Sequence, residues 1–177
     1  MNINPDLNEA QRFLDFLERG GKFWFQLAQE PKPKNQKADA RVLSGTLAEV
    51  GQQLVKLNQS GYAVWVQINA GTGRCNADVD RVRSYFVDQD RGHTELLVGS
   101  AVPADVIVES SPGKFHGYWL TQDAPLDQFS TRMRALAQKF EGDLSICHLA
   151  RVMRLPGFFH MKDEPFMSRI VSTRKGL

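Results

Sequence analysis

Apolar residues recur at helical spacing at Leu7, Ala10, Phe13, Leu14 and Leu17, behind Asn4-Pro5-Asp6 and ahead of Gly20-Gly21, and this pattern predicts a first helix. An apolar run, Phe23 to Leu27, then predicts a strand. Glu30 to Asp39 carries Pro31 and Pro33 among lysines and amides without any period, and it predicts an exposed loop within the span 30–45. Thr46 with Glu49 three residues on has the form of a capping box, and Val50, Leu54 and Leu57 extend a second helix towards Gly61. Tyr62 to Ile68 alternates as a strand does, Asn69 to Arg74 is a glycine-rich turn without Walker spacing, and Asp78 to Arg83 is expected as a short helix. Val106 to Glu109 and Phe115 to Leu120 predict strands joined at Ser110-Ser111-Pro112-Gly113-Lys114, whose Pro-Gly pair marks a tight reversal. Leu126 to Phe140 predicts an amphipathic helix with Phe129, Met133, Leu136 and Phe140 inward. A shorter helix is expected over Ser145 to Met153, closed by Arg154-Leu155-Pro156-Gly157, and Ser168 to Thr173 is the last strand. Hairpin-linked strands mixed with helices, without a steady strand-helix-strand repeat, predict an α+β fold with largely antiparallel sheet.

With 177 residues, 42% of them apolar, the chain can bury a substantial core and is expected to form a single domain. Within it, residues 1–60 would be an N-terminal α/β part and 61–177 the core that carries the chemistry. A net charge of +2 excludes a polybasic tail and permits a local basic groove. No apolar run approaches the roughly 18 residues needed to span a bilayer. Met1-Asn2-Ile3-Asn4-Pro5 lacks the plan of a secretion signal, so a cytoplasmic location is expected. Cys75 and Cys147 belong to no Cys-X-X-Cys pair, which argues against structural zinc or a disulfide framework.

The most informative stretch is Tyr85-Phe86-Val87-Asp88-Gln89-Asp90, an apolar run that delivers two carboxylates where a strand should end. In an extended chain Asp88 and Asp90 face the same way about 7 Å apart, close enough to share divalent ions. The plain alternative is a solvated turn. Lys114 and His116 also lie two apart and would share a face, with a turn lysine and a satisfied sheet histidine as the competing readings. Arg151 and Arg154, three apart on the expected short helix, would present guanidinium forks suited to phosphate, unless one pairs with an acid at the helix end. Trp24, Trp65 and Trp119 fall in strands, where core packing competes with base stacking.

Taken in order, Phe86 to Asp90, Ser110 to Trp119, Gly142-Asp143 and Ala150 to Gly157 resemble the catalytic motifs of the archaeo-eukaryotic primase superfamily, especially the RepB-like primases and primase-polymerase domains of plasmids, phages and other mobile elements. The resemblance spans roughly Ala63 to Lys162. It implies an RRM-like antiparallel sheet with packed helices, joined to a smaller α/β unit with the catalytic cleft between them. It also implies two Mg2+ or Mn2+ ions held by Asp88, Asp90 and a third carboxylate. Asp143 is the choice for that third acid, with Glu141, Asp163 and Glu164 as competitors. His116 would contact the incoming nucleotide, while Lys114, Ser111, Arg151, Arg154 and Lys162 would help bind it. His160 stands where the family commonly has an asparagine, and Arg74 is a weaker phosphate candidate.

The expected activity is template-directed nucleotidyl transfer on single-stranded DNA, making or extending primers from nucleoside triphosphates. A helicase or priming domain, on the same or a separate chain, is an expected partner. Two other classes compete. A catalytically inactive, RRM-like single-stranded DNA-binding module would bind equally with or without metal. A metal-dependent nuclease or replication initiator would need no triphosphate, and the His-X-His pair of rolling-circle initiators does not occur here.

Overall fold

The computed structural model describes residues 3–31, 39–162 and 164–174. In chain order the elements are α1 (Leu7–Glu18), β1 (Phe23–Gln29), β2 (Ala40–Gly45), α2 (Leu47–Gln59), β3 (Tyr62–Gln67), β4 (Ala70–Gly71), β5 (Val79–Gln89), α3 (Thr94–Gly99), β6 (Val106–Ser111), β7 (Lys114–Ala124), α4 (Phe129–Lys139), β8 (Val152–Arg154), β9 (Phe159–His160), β10 (Phe166–Met167) and β11 (Arg169–Thr173). Short 3-10 turns occupy Asn76–Asp78, Leu126–Gln128 and Leu144–Ile146. Among the described residues the fold is α+β with antiparallel sheets and four helices. Among the described residues no helix is long and apolar enough to cross a membrane.

The chain divides into two compact units, each built from two stretches of sequence: residues 1–67 with 152–169, and 68–151 with 170–177.

The first unit is a four-stranded sheet in the order β2-β1-β3-β8, antiparallel throughout. Its two helices begin as local chemistry requires. Asp6 accepts hydrogen bonds from the backbone N–H groups of Asn8 and Glu9, and Thr46 and Glu49 form the reciprocal capping box. Phe13, Leu14 and Leu17 of α1, Leu54 and Leu57 of α2, and Phe23, Phe25 and Leu27 of β1 are buried core residues. Gly157 is needed where it stands: at φ +84° its N–H donates to Ser168 O and its O accepts from Asp6 N, and an added Cβ would lie 2.1 Å from Asp6 O.

The second unit is a five-stranded sheet in the order β11-β6-β7-β5-β4. Antiparallel register sets Asp88 opposite His116, Phe86 opposite Tyr118, and Val108 and Val106 of β6 opposite those same β7 residues. On the other face Val87 and Trp119 pack with Leu97, Ile107 and Phe140 into a buried cluster.

Three expectations are corrected. Residues 32–38 of the expected 30–45 loop lie outside the described residues, and its far end is strand β2, paired with β1 from Gly45 opposite Phe23 to Ala40 opposite Ala28. The helix expected over Asp78 to Arg83 is the start of strand β5. There the Asp78 carboxylate accepts from Cys75 N, closing the 3-10 turn, and Val79 pairs with Gly71. The helix expected over Ser145 to Met153 is a 3-10 turn, an irregular segment and strand β8. In that segment Asn76 accepts from Ala150 N and Asn69 donates to Leu149 O, supplying from side chains the partners a helix would have found in its own backbone.

Candidate catalytic site

The second unit brings Asp88, Asp90, Lys114, His116, Asp143 and Arg151 together. Asp88 lies at the end of β5 and Asp90 just beyond it, and the opposite strand β7 begins at Lys114, so the register seats His116 across from Asp88. His116 Nε2 lies 3.5 Å from Asp88 Oδ1, the imidazole only 5% and the carboxyl 23% exposed. At the rim Lys114 Nζ lies 2.8 Å from Asp90 Oδ1, a half-exposed pair that contributes little to stability. Ser111 ends β6 opposite Lys114.

Asp143 arrives from a different part of the chain. Gly142 N donates to Ala137 O, ending α4, and Asp143 N then donates to Asp88 O at 3.0 Å. This approach depends on Gly142, because a Cβ there would lie 2.3 Å from Val87 Cγ1. Glu141, with φ +54°, makes the turn and sends its carboxylate to His93 and Arg91. The Asp143 carboxylate accepts from Ser145 Oγ at 2.6 Å and Ser145 N at 2.8 Å.

Charge is crowded here. Burial raises the Asp88 pKa to about 6, with the charge of Asp90 and then that of Asp143 adding to it, while Arg151 and Lys114 oppose the rise. The Asp143 carboxyl is held below the usual range by its two bonds from Ser145, with Arg151 assisting. The bond to Asp90 raises the Lys114 ammonium. Arg151 therefore serves both Asp88 and Asp143, and its buried Nε has no hydrogen-bond partner among the described residues. Its segment is fixed by Asn69, which accepts from Arg83 N and Ser84 N on β5 while donating to Leu149 O.

The acids are near enough to perturb one another, yet among the described residues no three His, Cys, Asp or Glu side chains are gathered to hold a metal ion. Asp90 is turned to Lys114 and Asp143 to Ser145. The donor set is nonetheless all oxygen, which suits magnesium or manganese, and a divalent cation would relieve the repulsion by Asp90 and Asp143 that adds to the effect of burial on Asp88.

Arg154, His160 and Lys162 lie in the first unit. Arg154 is not on a helix face shared with Arg151. It is a β8 residue opposite Trp65, with its guanidinium 4.9 Å from the Trp65 ring centroid and both terminal nitrogens donating to Glu30. Glu30 also accepts from Met161 N and stands 3.7 Å from His160 Nε2. Lys162 and Arg74 are exposed, and Asp163 lies outside the described residues. Trp119 is core, its indole N–H donating to Val102 O.

Sequence reasoning missed Tyr118, Asn69 and Glu30. Tyr118 was findable, since it follows His116 by two on one strand and so shares its face. The contacts of Asn69 and Glu30 join residues far apart in sequence and leave no local signal.

Residues 74–170 match the family model described as the RepB DNA-primase N-terminal domain. No curated protein matches the sequence. Among solved structures, the archaeo-eukaryotic primase domain of the cyanophage S-2L primase-polymerase is similar at 19% identity, with 98% of this chain and 93% of that one covered and a TM-score of 0.78. The catalytic domain of primase RepB′, in complex with initiator DNA, is 18% identical over 96% of this chain and 86% of that one, TM-score 0.68. A further RepB′ primase structure, 18% identical with TM-score 0.66, is matched over 94% of this chain and 56% of its own length.

Proposed function

Because the chain belongs to the RepB DNA-primase N-terminal domain family of archaeo-eukaryotic primases, we propose that it catalyses metal-dependent, template-directed nucleotidyl transfer on single-stranded DNA during replication of a plasmid, phage or other mobile element. The observation that carries this reading is the approach of Asp143, from a separate segment, to Asp88 and Asp90 beside Arg151, Lys114 and His116.

Two magnesium or manganese ions held by Asp88, Asp90 and Asp143 would neutralise the triphosphate and polarise the reacting phosphorus and 3′ oxygen. The chain's own residues account for the rest. Lys114, released from Asp90, and Arg151, with a fork not used up by the protein, supply positive charge for phosphate oxygens. His116 offers Nε2 from a buried, fixed ring, and Ser111 adds a hydroxyl at the mouth of the hairpin. Lys162 is a proposed phosphate contact. The proposed phosphate contact of Arg154 competes with its bidentate bond to Glu30. No side-chain nucleophile is required. The activity belongs to the whole chain acting as one catalytic domain, with a helicase or priming domain as partner for initiation.

The turning of Asp90 to Lys114 and Asp143 to Ser145 favours one second reading, a DNA-binding module without turnover. Incorporation of labelled nucleotides on single-stranded DNA, with and without primer, in Mg2+ or Mn2+, separates the two. Incorporation that disappears in Asp88→Ala plus Asp90→Ala supports the transferase. Metal-independent DNA binding without incorporation would replace it with the binding module.

A further inference from the structure

The sheet holds Asp88 opposite His116, but it does not hold Asp90. The last pair of the ladder is Gln89 with Phe115, and Asp90 follows as the first residue of a turn. The side chain of Gln89 reaches round to fix that turn. Its Oε1 accepts from Arg91 N at 2.9 Å and from His93 N at 3.3 Å, so the chain is bound on both sides of Gly92, which turns at φ +77°. Asp90 thus sits between a residue paired in the sheet and an amide gripped by that residue's own side chain. Backbone N–H groups only donate, so the oxygen of the carboxamide must face them, and the direction of both bonds is settled. The side chains of Arg91 and His93 also reach Glu141, but they are 71% and 45% exposed, and such pairs hold weakly. Gln89 itself is fully buried, and its Nε2 has no hydrogen-bond partner among the described residues. A buried donor left unpaired opposes folding, and an apolar side chain of the same length would avoid that cost. Val87, two residues earlier on the same face, is such a residue and packs in an apolar cluster. What an amide supplies at position 89 is an acceptor for the turn that carries Asp90.

We propose that Gln89 is a positioning residue for Asp90: its amide oxygen fixes the turn so that the Asp90 carboxylate stays within reach of a divalent cation shared with Asp88. The hold on the turn rests on the geometry alone; its use for a cation rests on the nucleotidyl-transfer reading.

Amide hydrogen exchange without metal reads the hold, and Mn2+ titration followed by electron paramagnetic resonance reads its use. In the wild type the amides of Arg91 and His93 are expected to be protected. In Gln89→Met, which keeps the length and removes the acceptor, they should exchange about tenfold faster. The same variant is expected to bind Mn2+ about tenfold more weakly. Its unfolding midpoint in EDTA should move little, because the unpaired Nε2 is removed as well and water reaches the amides of this partly exposed turn. A merely structural amide would lower that midpoint and leave the metal affinity of the folded protein unchanged. In an Asp90→Asn background Gln89→Met should cost less than about twofold in further affinity, whereas in Asp143→Asn it should keep its full cost, since Gln89 acts through Asp90. Unprotected amides in the wild type, unchanged Mn2+ affinity in Gln89→Met, or a full further loss in the Asp90→Asn background would overturn the proposal. Should Gln89→Met fail to fold, the wild-type exchange rates and Gln89→Asn, whose shorter amide withdraws the acceptor, decide. Protected amides in a wild type that binds no Mn2+ would support the hold on the turn and overturn the metal reading of Asp90.

Discussion

Asp88 is ionised at a cost to the fold. Its folded-state pKa of about 6 stands above the ordinary 3.8, so the folded protein binds this proton more tightly than the unfolded chain does. The charged carboxylate therefore opposes folding fully above pH 6, by at most about 3 kcal/mol. That opposition is relieved as pH falls from 6 towards 4. Asp88→Asn, which removes the charge and keeps the shape, is expected to raise the thermal midpoint in EDTA at pH 7.5 and to raise it less at pH 5, read by circular dichroism. A variant no more stable than the wild type at pH 7.5 would mean that the surroundings do not strain this carboxylate. Metal tests the same group from the other side. Mn2+ should raise the midpoint of the wild type by mass action and leave Asp88→Asn unmoved. At this scale the sequence was legible where alternation alone decides. Asp88, His116 and Lys114 could be placed by counting residues along strands, whereas the bidentate hold of Glu30 on Arg154 could not, since it joins β8 to a residue 124 positions earlier.

Two connections between elements position the chemistry, and each can be broken by one substitution. Gly142 lets the end of α4 lie against β5. In Gly142→Ala the methyl meets Val87, and the expected result is a loss of about 1–3 kcal/mol together with displacement of Asp143 from Asp88. Denaturant unfolding reads the first effect. A loss of Mn2+ stabilisation larger than the change in stability would read the second, and a variant with wild-type metal response would show that the approach is not needed. Glu30 ties β1 to β8 and to the backbone at Met161. Glu30→Ala leaves the mostly buried Arg154 without its partner and is expected to cost about 2 kcal/mol by the same measurement; a cost near zero would show that stacking on Trp65 suffices. The helices α1 and α2 were legible because their caps are local, Asp6 in one and Thr46 with Glu49 in the other. β2 and β8 were not. Val152-Met153-Arg154 is strand because β3 offers it a register, Trp65 opposite Arg154 and Gln67 opposite Val152, and that partner is set by the tertiary fold.

Neither of the two units is a continuous piece of chain. Ending the protein at Arg151 would keep Asp88, Asp90, His116 and Asp143 yet remove β8 from one sheet and β11 from the other. Such a chain is expected to lose cooperative unfolding and become sensitive to protease, as judged by circular dichroism and limited digestion. A truncated chain as stable and protected as the whole one would show that the late segment is dispensable. Fold class was readable at this scale from the mixture of hairpins and capped helices, but the return of residues 152–169 to the sheet formed by the first 67 was not, because nothing in the apolar pattern of β8 says which strand it will join.

The pairing of β3 with β8 also sets an order of events on the ribosome. β1, β2 and β3 are synthesised first, and Trp65-Val66-Gln67 must wait, with one row of backbone donors and acceptors open, while residues 68–151 are made. An apolar strand with an open edge is a template for any other extended chain nearby. The nascent protein is thus most exposed to mispairing while its acidic site is being translated, and that exposure ends when Val152 to Arg154 close the edge.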